Sequence, residues 1–139
     1  MQGTEIFVPF FGMLLLTLGV WIFLYVRRIA YCKKNKIHAQ RLSTPEKAVE
    51  LLPDKVNHPA HNFKNLFELP VVFYALCLYL YVTGNVDSVF VTGAWAFFGL
   101  RLIHSAIQCT VNIVMLRFLA YMAGALVLWF MVLRAALQL

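Results

Sequence analysis

Four long apolar stretches, separated by polar segments, set the pattern of this chain. They cover about residues 6–26, 63–82, 89–107 and 117–136. Each runs close to the roughly twenty residues that an α-helix needs to cross a bilayer. The spacing therefore predicts an all-α fold, an integral membrane four-helix bundle forming one domain over 1–139. The first stretch is too long for a cleavable leader and lacks a basic start and a small-residue cleavage site. Between the first two stretches lies a polar connection, 27–62. Inside it, Ser43-Thr44-Pro45-Glu46 reads as a helix start with proline in the first turn. A short amphipathic helix through Val49, Leu51 and Leu52 is expected next, and Pro53 and Pro59 are expected to break the chain beyond it. Residues 83–88 form a turn, and 108–116 a second short connection.

Composition supports the membrane reading. The chain is 62% hydrophobic and 13% charged, with a mean hydropathy of +0.76. A soluble domain of 139 residues could not bury that much apolar surface. Nine of the twelve Lys and Arg fall between Arg27 and Lys64. A basic connection flanked by apolar spans is expected on the cytoplasmic side, which places both termini outside. Its charge also suits anionic lipid head groups. The bilayer is thus the first partner, and the surrounding membrane would be the plasma (inner) membrane if the source is bacterial. No nucleic-acid motif accompanies the net charge of +6, so nucleic acid is not an expected partner. Cys32, Cys77 and Cys109 match no metal or redox spacing, and His58, His61 and His104 have no ligand set around them, so no metal is expected.

The ionisable residues inside the spans carry the functional signal. Under this topology Glu68, Arg101, His104, Arg117 and Tyr121 all fall at the cytoplasmic ends of spans two to four. Asn65 and Glu68 are three apart, Arg101, His104 and Gln108 lie at i, i+3 and i+7, and Arg117 and Tyr121 are four apart. Each set shares one helix face. A buried, unpaired arginine at the depth of Arg101 costs about 2.5–3.5 kcal/mol. Glu68 is the only acid at that level, so a structural ion pair between Glu68 and Arg101 is expected. Three polar stripes at one depth predict a pocket between helices, although interhelical polar contacts can also serve only to lock helices together. Ala120 and Gly124 form a small-xxx-small pair that favours close packing, and Arg134 and the tryptophans read as interface anchors or packing residues.

At these residues the sequence resembles the MAPEG family, the membrane-associated proteins of eicosanoid and glutathione metabolism. His61-Asn62-Phe63-Lys64-Asn65-Leu66-Phe67-Glu68 is similar to that family's R-x-H-x-N-x-x-E segment, and Arg101-Leu102-Ile103-His104 to its R-x-x-H. Arg117 and Tyr121 resemble the basic and aromatic pair that opens its fourth helix. The resemblance implies a homotrimer with glutathione as thiol cosubstrate in a cleft between subunits. Arg28 (or Arg27), Lys64, Asn65, Glu68 and His104 would bind it, and Arg117 with Tyr121 would stabilise the thiolate. A lipophilic small molecule would be the second substrate. The implied activity is a glutathione-dependent transferase or peroxidase; the alternative is a non-catalytic lipid-binding or scaffold member of the fold. His61 and Lys64 stand where the family pattern has arginine, Gln108 where some active members have tyrosine, and Phe118 where some have serine. A transporter or channel is disfavoured, because no span is broken at mid-membrane and no pore-lining charge series is present.

Overall fold

A computed structural model describes residues 3–139, and over these all regular secondary structure is helical. Six α-helices succeed one another: α1 Phe7–Lys34, α2 Pro45–Leu51, α3 Asp54–Asn65, α4 Leu69–Val82, α5 Ser88–Cys109 and α6 Val114–Leu137. Short 3-10 turns precede α1 at Thr4–Ile6 and occupy Ala39–Leu42. Four stretches are long and apolar enough to cross a membrane: Thr4–Lys34, Asp54–Val82, Ser88–Cys109 and Val114–Leu137. No more than a third of each apolar stretch is buried inside the protein. Side chains such as Leu15, Leu126 and Leu133 stay more than 60% exposed, so the outer surface is built for lipid rather than water.

The core tracks the inward stripe of each span. Met13 and Val20 from α1, Phe73 and Leu80 from α4, Phe97 from α5 and Leu128 and Met131 from α6 meet in one cluster. Phe73 and Phe97 stack with ring centroids 4.7 Å apart. α5 packs most extensively on α6, and α1 lies against α3 and α5. Close approach depends on small residues. A Cβ at Gly12 would stand 2.9 Å from the Phe98 ring. Ala120 and Gly124 are both buried, and a Cβ at Gly124 would be 3.6 Å from Leu100, in keeping with the small-xxx-small expectation.

Several boundaries differ from those read in the sequence. α1 does not stop at Arg27-Arg28 but continues to Lys34. Arginine and lysine are good helix formers, so charge ends the apolar stretch without ending the helix. Its 28 residues extend about 42 Å, against roughly 30 Å of hydrocarbon, so the helix is about two turns longer than a crossing needs. The helix start at Pro45 is present, with Thr44 Oγ1 accepting from the Lys47 N–H at 3.3 Å. Pro53 ends α2 and precedes α3, but Pro59 does not break its helix. Proline at 59 leaves the carbonyl of Lys55 without its i+4 donor. Arg27 supplies the replacement, its NH2 donating to that carbonyl at 3.1 Å.

The second span is interrupted. α3 ends at Asn65, Leu66 to Glu68 form a turn, and α4 restarts at Leu69 with Pro70 in its first turn. Pro70 cannot donate to the preceding turn, and it disfavours helical backbone at the residue before it. The turn of 83–87 places Asp87 as the N-cap of α5, where its carboxylate accepts from the Phe90 N–H at 3.0 Å. Arg134 reaches the same carboxylate through two hydrogen bonds, at 2.7 and 3.1 Å, and lies over the Phe90 ring. Arg134 therefore fastens the end of α6 to the start of α5. The connection between α5 and α6 shrinks to Thr110–Ile113, because both helices run longer than expected.

Candidate functional site

The residues singled out in α3, α5 and α6 do converge. Asn65, Glu68, His104, Gln108, Arg117 and Tyr121 line a cleft of about 270 Å³, together with Val114 and Phe118. The i, i+3 and i+7 spacing on α5 turns Arg101, His104 and Gln108 inward, and all three are buried. The start of α6 brings Arg117 and Tyr121 to the same end of the bundle.

The expected ion pair between Glu68 and Arg101 is not formed. Among the described residues the one ion pair within 4 Å is Asp87–Arg134. Arg101 NH2 instead donates to Asn65 Oδ1 at 2.6 Å, and Asn65 Nδ2 donates to Glu68 Oε2 at 3.1 Å. The interruption after Asn65 explains this. It carries Glu68 out to the exposed wall of the cleft, while Arg101 stays fully buried in α5. The carboxamide of Asn65 fills the gap and relays the charge interaction. Two nitrogens of Arg101, Nε and NH1, have no hydrogen-bond partner. Its guanidinium lies 5.7 Å from the Tyr121 ring centroid, within cation–π range.

His104 is oriented from both sides. Nδ1 lies 2.9 Å from the Arg117 carbonyl and Nε2 lies 3.1 Å from the Gln108 carboxamide. A carbonyl accepts only, so Nδ1 carries the proton there. The imidazole ring is 5.8 Å from the Tyr121 ring. Histidine thus links α5 to the first turn of α6 and sets the depth of Arg117.

Arg117 is held by a residue that the pattern of apolar positions gave no reason to choose. Its NH1 donates to Asn112 Oδ1, and Asn112 Nδ2 faces His58 Nε2 at 3.1 Å. Asn112 sits at φ 47 in the short α5–α6 connection, a left-handed conformation that asparagine tolerates better than most residues. A second missed pair joins α3 to α5, where Ser105 Oγ donates to the fully buried Asn62 at 3.2 Å. The signal for Asn112 was a lone asparagine between Val111 and Ile113, whereas Asn62, between His61 and Phe63, offered none.

Arg28 and Lys64 do not enter this cleft. They line a different one of about 470 Å³, with His61, Leu42, Pro45 and Glu46. One chain therefore carries two separate polar clefts. The first offers a carboxylate, a guanidinium, an imidazole and a phenol; the second is mainly cationic. Among the described residues no group of three metal-ligating side chains comes together.

In comparison with known protein families, the model of the MAPEG family matches residues 5–137. No curated protein and no solved structure matches the chain. With nearly its whole length matched, and with four membrane-capable helices, this integral membrane protein belongs to the MAPEG family.

Proposed function

We propose that the chain is a glutathione-dependent transferase or peroxidase acting on lipophilic electrophiles or hydroperoxides, with Arg117 stabilising the thiolate. One observation carries this reading: Asn65, Glu68, His104, Arg117 and Tyr121, distant in sequence, line a single cleft. Glutathione has two carboxylates, one ammonium and a thiol. Glu68 presents an exposed carboxylate for the ammonium, and Arg117 a guanidinium for the sulfur. Tyr121 stands beside them as a further donor. In the transferase reaction the thiol proton passes to solvent, the thiolate forms a C–S bond, and the leaving group departs or the double bond is saturated. In the peroxidase reaction two thiols reduce one hydroperoxide to an alcohol and water, with formation of one disulfide. The lipophilic substrate enters from the bilayer, past the exposed Phe118.

The cationic residues Arg28 and Lys64 take the glutathione carboxylates from a neighbouring copy, so the working unit is a homotrimer with sites between subunits. The separation of the two clefts within one chain supports this. The basic connection faces the cytoplasm and both termini face the other side. Residues 1–139 act as one domain, in the inner membrane if the source is bacterial.

Calorimetric titration with glutathione tests the reading. Wild-type protein is expected to bind, and Arg117→Ala and Glu68→Gln are each expected to lose at least tenfold in affinity. Thiol-dependent turnover of an electrophile panel should vanish in Arg117→Ala. A non-catalytic, lipid-holding role is the second reading. It is favoured by Gln108 and Phe118 in the cleft lining and by the engagement of Arg117 NH1 with Asn112. Absence of glutathione binding, with lipid retained in the cleft, would decide for it.

A further inference from the structure

Past the end of α1 the chain folds back on itself. Lys36 takes a left-handed conformation, φ 53, and the Ile37 N–H donates to the Cys32 carbonyl at 2.9 Å. A small apolar cluster secures the return: Ala48, Leu52 and Val56 pack against Tyr31, Cys32, Ile37 and Leu42. The fold-back leaves a third cleft, about 520 Å³. Its floor is apolar, formed by Ile29, Cys32, Ile37 and Leu42, and its rim carries Arg28, Lys33, Lys36 and His38. No carboxylate lines it. Arg28 Nε is buried there without a hydrogen-bond partner.

The apolar floor does not end at the cleft. Leu18, Ile22, Val26 and Ile29 are each about half exposed or more, and their spacing of four, four and three sets them on one face of α1. This stripe runs from the cleft into the membrane-spanning part of the helix. The rim lies where α1 leaves the apolar stretch, at head-group depth. A cluster of unpaired cations at that depth, joined to an apolar track in the hydrocarbon, is complementary to a negatively charged amphiphile. A soluble anion would leave the track unused, and a protein partner would have to displace lipid from it.

We propose that this cleft is a binding site for an anionic phospholipid, whose phosphate is held by Lys33 and Lys36 and whose acyl chain lies along Ile29, Val26 and Ile22. Arg28 is shared with the neighbouring cleft, so Lys33 and Lys36 carry the test.

Native mass spectrometry of the detergent-purified protein, titrated with phosphatidylglycerol or phosphatidylcholine, measures retention directly. Wild type is expected to retain one phosphatidylglycerol per protomer and to discriminate against phosphatidylcholine. Glycerol 3-phosphate at the same concentration should neither bind nor displace it. Lys33→Gln/Lys36→Gln should weaken retention about 25-fold, at about fivefold per cation removed. Lys34→Gln/Lys47→Gln removes equal charge away from the cleft and should change retention less than threefold. Equal losses in the two double variants would mean diffuse surface attraction and would overturn the site. Equal retention of the two lipids by wild type would do the same. Displacement by glycerol 3-phosphate would reassign the cleft to a soluble anion. Circular dichroism of each variant confirms that a loss is not unfolding.

Discussion

Replacing Asn112 removes a backbone fit and two hydrogen bonds, and two different substitutions separate them. At φ 47 an alanine is disfavoured by about 1–2 kcal/mol, whereas glycine is at ease there. Both substitutions lose the Oδ1 acceptor of Arg117 NH1 and the Nδ2 contact with His58. Part-buried hydrogen bonds of this kind contribute about 0.5–1.5 kcal/mol each. Asn112→Gly should therefore cost about 1–3 kcal/mol, and Asn112→Ala about 1–2 kcal/mol more. Thermal unfolding in detergent, monitored by circular dichroism at a fixed scan rate, should rank wild type above Gly and Gly above Ala. The geometry adds a pH test. With Oδ1 taken by the Arg117 donor, the Asn112 amide can offer His58 only N–H, so Nε2 must accept and His58 must be neutral. Acidification that protonates His58 sets two donors against each other. The gap between wild type and Asn112→Gly should then narrow as the pH is lowered. His58→Gln keeps an acceptor that does not titrate and should abolish that narrowing. Gly and Ala variants both as stable as wild type, with the same pH profile, would refute the claim that this residue tethers Arg117.

The packing gives two further expected outcomes. Asp87 has its carboxyl pKa lowered, first by the hydrogen bonds from Arg134 and against a smaller opposing effect of burial. Its contribution is thus present above the unfolded value and is lost as pH falls through the lower folded one. Because the pair is partly exposed, Arg134→Gln should cost only about 0.5–1 kcal/mol at pH 7. The difference from wild type, read by thermal unfolding across pH 2.5–7, should disappear at the acid end. Arg101→Met replaces a fully buried guanidinium that has two unpartnered nitrogens by an apolar chain of similar reach. The exchange relieves the burial of a charge but leaves Asn65 Oδ1 without its donor, so the two effects offset in part. Unfolding should shift by less than about 1.5 kcal/mol, while glutathione affinity falls severalfold because Asn65 and Glu68 lose their anchor; unchanged affinity would remove Arg101 from the site.

The apolar stretches and the i, i+3 and i, i+4 stripes were legible because both arise from helical periodicity alone. Asn65, His104, Gln108, Arg117 and Tyr121 could therefore be grouped from the sequence. What was not legible depends on where helices stop. Arg27-Arg28 ends the hydrophobic signal but not α1, since the two properties have different physical causes. Pro59 reads as a breaker until Arg27 is seen capping the carbonyl it frees. The Glu68–Arg101 pair assumed one continuous second span; the interruption after Asn65 replaced direct contact by a relay. Asn112 works through a left-handed backbone in a four-residue connection, which has no period to detect.

The two clefts make the subunit arrangement testable without a structure of the assembly. If each glutathione lies between the Glu68–Arg117 cleft of one copy and the Arg28–Lys64 cleft of the next, the contact is heterologous, and three copies close a ring. Consider two inactive chains, Arg117→Ala, which spoils the first cleft, and Lys64→Glu, which spoils the second. Alone, each gives trimers with no intact site. Co-expressed in equal amounts, roughly three-quarters of trimers are mixed, and every mixed ring holds one interface with both halves intact. One site in three across three-quarters of the rings predicts about one quarter of wild-type glutathione binding. Purification by two affinity tags, one on each chain, enriches the mixed rings and should raise this to about one third. A site complete within one chain would give no recovery at either step. Recovery well above one third would mean that one of the substitutions leaves its own cleft working.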